Sequence, residues 1–153
     1  GSLVLRADPS DASRMSTPQD RYRTYLETLS PESLAEISAY VTEDIRFKDP
    51  FNETCGVVAM SQVFRHMFEN VQGIKFEIYE MLAEGSVCLM AWRFEGRLSG
   101  KPWSFDGTSV IRFSEDGRVS EHIDHWDSGR NFYERLPFIG WLLATLRHHF
   151  SVH

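Results

Sequence analysis

Two short stretches hold side chains that could move protons. In "FKDPFNETCG", residues 47–56, an acid, Asp49, sits between an apolar strand and a proline. Asp-Pro is a common turn opener, but strand alternation in "DIRFKDP" puts Asp49 on the same side as Ile45 and Phe47. A carboxylate facing apolar walls is partly desolvated and becomes a better base. In "EHIDHWD", residues 121–127, the same alternation puts His122, Asp124 and Trp126 on one face and Ile123, His125 and Asp127 on the other. His122 with Asp124 fits an acid–base pair, half of a metal site, or a buried hydrogen-bonded pair. Two ligands on one strand are too few for a metal without a third, so no metal is expected. Tyr25, in "RTYLETL", adds a phenol on a helix face, where the ordinary role is a core ring with a bonded hydroxyl.

These groups must be carried by elements that the hydrophobic period makes legible. Thr17 followed by Pro18 reads as a cap and first turn of a helix through "QDRYRTYLETL". "SPESLAEISAYV" repeats the signal, with Ser30 as cap and Leu34, Ile37, Tyr40 and Val41 at helical spacing. A short strand, "DIRFKDP", and a third helix, "VVAMSQVFRHMFENV", follow. From residue 74 the period changes to two, and "IKFEIYEMLAE", "SVCLMAWRFEGRL", "KPWSFDGTSVIRF" and "RVSEHIDHWD" read as long strands joined by tight turns. A last helix is expected over about residues 129–150, with Phe138, Leu142, Leu146 and Phe150 as its stripe. Residues 1–17 have no sustained period and read as a disordered tail, leaving one domain over 18–153. Helices first and a curled antiparallel sheet after them make an α+β cone with an apolar interior.

The bulk numbers limit what such a cone binds. The formal net charge is -6, with 16 basic against 22 acidic residues, which excludes nucleic acid as the main partner. The longest apolar run, "FIGWLLATL" at 138–146, is too short to span a bilayer, so no stable membrane insertion is expected. No charged segment followed by an apolar one opens the chain, and the cysteines, Cys55 and Cys88, lack metal spacing. Two free thiols in the cytoplasm is the expectation. Aromatic residues are 13% of the chain, enough to fill a core and also line a pocket for a small hydrophobic ligand.

With "YVTEDIRFKDPF" after the second helix and "VIRFSEDGRVSEHIDHWD" closing the sheet, the chain resembles the nuclear transport factor 2-like superfamily. Within it, the chain is most similar to the SnoaL-like and ketosteroid isomerase-like proteins. The resemblance covers about residues 18–128. It implies cofactor-free proton transfer of isomerase or cyclase type, and a homodimer through the sheet. It implies Asp49 as the proton-shuttling base and Tyr25 as the oxyanion donor. The second oxyanion donor of the isomerases, a protonated Asp, is replaced by Ser109, and a supporting Tyr by Phe64. Ser109 would make a weaker donor and a slower isomerase. The resemblance turns the Trp126 face inward, so that Asp124 and His122 join the site, and it places Phe47, Met90, Trp92 and Phe94 on the pocket wall. Epoxide hydrolase-like relatives use an Arg-Asp pair that is missing from "CLMAWRFEG", against epoxide hydrolysis. This fold also hosts non-enzymes, so a ligand-binding or accessory module is the alternative.

Overall fold

The computed structural model describes residues 16–128, so the expected tail over residues 1–15 and the expected helix from 129 lie outside the described residues. Helix α1, Pro18–Glu27, starts where the sequence places it. Thr17 Oγ1 accepts from the backbone N–H of Asp20, and the Asp20 carboxylate accepts from the N–H of Thr17, a reciprocal capping box. The second helical segment is tighter than expected: Ser33–Ala39 is a 3-10 helix. The side chains of Ser30 and Ser33 each accept the other's backbone N–H, at 3.1 and 2.9 Å, which closes the turn that leads into it.

Strand β1, Val41–Lys48, buries Ile45 and Phe47 and exposes Arg46 and Lys48, as alternation requires. A three-residue strand β2, Glu53–Cys55, folds back on β1, and helix α2, Val57–Asn70, follows from Gly56. Strands β3 (Val71–Glu84), β4 (Val87–Leu98), β5 (Lys101–Phe113) and β6 (Val119–His125) form the antiparallel run read from the period of two. The six-stranded sheet has the order β2-β1-β6-β5-β4-β3. Its β1–β6 pair is parallel, so the last strand slots between β5 and the first.

The core lies between one face of this sheet and the helices. Val41, Ile45, Met60, Leu98, Ile111 and Val119 are fully buried. Helix α1 is tied to the sheet by side chains as well as by packing. The Arg23 guanidinium donates to the carbonyl of Ile78 at 2.6 Å, and the N–H of Ile78 donates to Glu27 at 3.0 Å. This clamp engages the outer edge of β3, the last strand of the sheet, beside the irregularity in β3–β4 pairing between Ile78 and Glu80. On the opposite face of the sheet, register places Leu82, Leu89, Val110 and Ile123 in one row across four strands. Leu82 and Leu89 stand exposed there.

Candidate active site

The concave side of the sheet encloses a cavity of about 1110 Å³, open mouth included. Its wall is largely aromatic, and Glu27, Asp49, Asn52, His122 and Asp124 break the apolar surface. The two candidate acids arrive by different routes.

Asp49 sits just past the end of β1 and closes a turn with its own side chain. Its Oδ1 accepts from the backbone N–H groups of Phe51 at 2.8 Å and Asn52 at 2.6 Å. The Asn52 amide donates to both carboxylate oxygens, at 3.0 and 3.1 Å. Turn residue and cavity residue are therefore the same residue. Removal from water pushes the Asp49 carboxyl up to about 6; the hydrogen bonds from Phe51 and Asn52 oppose that rise and the charge of Asp124 adds to it. Asn52 is itself buried, and its Oδ1 has no hydrogen-bond partner among the described residues.

Asp124 comes from β6 and is held by side chains from three other elements. His122 Nε2 lies 2.7 Å from its Oδ1, and the Ser109 hydroxyl from β5 donates to the same oxygen at 2.5 Å. The Trp92 indole N–H from β4 donates to Ser109 Oγ at 2.8 Å, and on the other side the Tyr22 hydroxyl from α1 meets His122 Nδ1 at 2.7 Å. Every joint in this chain is buried: Tyr22, Trp92, Ser109 and His122 are between 1% and 3% exposed. Gly107, opposite Trp92 in the β4–β5 register, makes room for it; a Cβ there would overlap the indole ring. Among the described residues, Asp124 Oδ2 receives no hydrogen bond from the protein.

Most of the residues singled out in the sequence meet at this cavity. Asp49, His122 and Asp124 line it with Phe47, Phe64, Trp92, Phe94 and Trp126. Three do not. Tyr25, expected as an oxyanion donor, is absent from the lining; its ring stacks on Tyr40 with centroids 4.0 Å apart, and its hydroxyl donates to the Ser33 carbonyl at 2.9 Å. Burial, ahead of the neighbouring Tyr40 and Glu36, pushes that hydroxyl up to about 12. Met90 and Ser109, expected to touch a ligand, are each 1% exposed and stand behind the wall, Ser109 as a support for Asp124. Two participants were missed. Asn52 gives no sequence signal beyond its place after Asp-Pro. Tyr22 could have been found from its position one helical turn before Tyr25, on the same buried stripe as Leu26. Among the described residues no group of His, Cys, Asp or Glu could hold a metal ion, and no helix is long and apolar enough to cross a membrane.

Solved structures with this architecture are numerous, and the three that follow are distant in sequence. A SnoaL-like polyketide cyclase from Agrobacterium tumefaciens str. C58 is 14% identical over 80% of this chain and 99% of its own, with a TM-score of 0.67. An LEH-like epoxide hydrolase from M. tuberculosis is 17% identical over 84% and 90%, with a TM-score of 0.62. A nuclear transport factor 2-like protein from Exiguobacterium sp. 255-15 is 22% identical over 71% and 96%, also at 0.62. At these identities the likeness shows the fold. No curated protein matches the chain significantly. A family model does match, over residues 22–122, from within α1 to His122 on β6: the chain belongs to the family of the SnoaL-like domain.

Proposed function

We propose that the protein catalyses cofactor-free proton transfer on a small hydrophobic carbonyl compound, as an isomerase or cyclase. The observation that carries this reading is the pair of carboxylates, Asp49 and Asp124, lining one aromatic cavity. Abstraction of a proton beside a ketone needs a base of suitable strength near the carbon and a donor at the oxygen that becomes an enolate. Asp49, lifted to about 6 by burial, can give and take a proton near neutral pH. Asp124, with His122 at its back, is the second acid–base group. The Tyr25 hydroxyl is spent on Ser33, so it is not the donor to the enolate oxygen. β4 offers the cavity Trp92 and Phe94 and no charged group, which does not suit epoxide opening.

The rival reading is a ligand-binding module, favoured by the engagement of both Asp49 oxygens within their own turn. Turnover of a β,γ-unsaturated ketone separates the two. Wild type is expected to show a rate that rises with pH through about 6, and Asp49→Asn to lose at least about a hundredfold. Unchanged turnover in Asp49→Asn removes Asp49 from the mechanism; binding of the ketone without turnover in wild type supports the module.

The same proposal includes a homodimer through the outer face of the sheet, where Leu82 and Leu89 are 74% and 50% exposed. Leu89→Glu is expected to shift sedimentation to a monomer; an unchanged species excludes that face. Two unpaired thiols, Cys55 and Cys88, suit a reducing compartment such as the cytoplasm.

A further inference from the structure

We infer that Tyr22 is a positioning residue: its hydroxyl holds His122 as the neutral Nε2–H tautomer, so that Asp124 is the member of the pair that takes up and returns the proton. This rests on the reading of Asp124 and His122 as an acid–base group.

The direction of each hydrogen bond follows from what each group can do. The Trp92 indole only donates, so Ser109 Oγ accepts from it at 2.8 Å and turns its own proton toward Asp124. An ionised carboxylate only accepts, so the 2.7 Å contact to His122 carries a proton on Nε2. That leaves Nδ1. If it were protonated too, Tyr22 would have to accept from it, and the phenolic proton would need another acceptor. The Tyr22 hydroxyl, on a residue 2% exposed, makes no second hydrogen bond among the described residues. Donation from Tyr22 to a bare Nδ1 satisfies both atoms, and burying an unsatisfied donor is costly.

The surroundings agree. The His122 ring lies between the rings of Tyr22 and Phe47, at 5.7 and 5.3 Å, and its β5 partner is Ile111. The titratable groups near this joint are Asp124 on the same strand, Asp49 just past the end of the neighbouring strand β1, and Tyr25 on α1 beside Tyr22. Burial, then the charge of Asp124, keeps the Tyr22 hydroxyl protonated far above neutral pH, so it remains a donor. A neutral imidazole fixed this way supports Asp124 without taking its proton.

The test is long-range proton–nitrogen NMR on the full chain labelled at its histidine rings, with His122→Gln identifying the signals. At about pH 7, wild type is expected to show a protonated Nε2 and an unprotonated, hydrogen-bonded Nδ1 on His122. Tyr22→Phe keeps the ring packing, removes the hydrogen bond to Nδ1 and is expected to shift the Nδ1 signal and let the Nδ1–H tautomer appear. With 3-cyclohexen-1-one as probe, kcat should fall roughly five- to tenfold, with KM within about twofold. An Nδ1–H tautomer or an imidazolium in wild type at about pH 7 overturns the inference, as does a His122 spectrum unchanged by Tyr22→Phe. Should Tyr22→Phe fail to fold, the wild-type tautomer decides alone. Absence of turnover in every form, with the expected spectra, sinks the proposed chemistry and leaves the role of Tyr22 standing.

Discussion

Two neighbouring strands, β1 and β6, bring a carboxylate to the cavity and hold it by opposite means. At the β1–β2 turn, Asp49 is fixed by backbone N–H groups and by Asn52, three residues away. On β6, Asp124 is held by His122 and by Ser109 of β5, and behind these stand Trp92 of β4 and Tyr22 of α1, the latter 100 residues from His122. A local turn can position an acid with almost no help from the rest of the fold. A strand acid needs the sheet assembled around it. The first arrangement tolerates changes that keep the turn; the second spreads damage along the chain of hydrogen bonds.

The contrast is sharpest in three substitutions. Asp124→Leu strips the acceptor from the His122 N–H and the Ser109 hydroxyl, both buried, and is expected to cost about 2–4 kcal/mol in denaturant titration. A loss as small as that of a surface change would mean that the β6 arrangement carries no strain of satisfaction.

Asp49→Asn should behave in the opposite sense. The Asp49 carboxyl is lifted from 3.8 to about 6 in the folded protein, so folding binds a proton there. Its stabilising effect is present in full below about pH 4 and is lost as pH rises through about 6. The asparagine lacks that loss and can pair its amide with the unpartnered Asn52 Oδ1. Thermal unfolding is expected to show Asp49→Asn more stable by about 1–2 kcal/mol at pH 7, with the gain gone below about pH 4. A variant less stable at pH 7 would put the turn, not the charge, in control.

Tyr25→Phe is the smallest of the three. It removes one hydrogen bond to Ser33, about 1 kcal/mol of stability, and should leave turnover within about twofold. A large loss of kcat would return Tyr25 to the site and undo the division of labour between the two tyrosines of α1.

How much of this could be read from the sequence follows the same divide. The β6 face was legible because alternation is rigid: once Trp126 points inward, His122 and Asp124 must follow, and all three line the cavity. The period of two likewise gave β4 and β5 their extents, whereas β3 begins at Val71, earlier than the period change read at residue 74, and β6 ends at His125. Strand β2 is three residues long, too short to show a period, and the 3-10 geometry of Ser33–Ala39 leaves the same apolar spacing as a short α-helix. Tyr22 and Tyr25 share one buried stripe of α1, so spacing alone does not say which of them meets the sheet. That is decided by how the helix is rolled, and the roll is fixed by the Arg23 and Glu27 clamp on Ile78, more than 50 residues away. A pattern match along the chain has no access to such a contact.

The parallel pairing of β1 with β6 has a consequence in time. Hairpins β3–β4 and β4–β5 close over a few residues, but β1 waits for a strand that begins at Val119 before its inner edge is covered. Contacts of such long sequence separation form late and slowly, since loop closure must precede any reward. As the chain leaves the ribosome, α1 and β1 emerge early and stay without their partner until residues near 125 are free. The step that brings His122 to Tyr22 and Asp124 to the cavity is therefore expected late in folding, so that fold and candidate site are completed together.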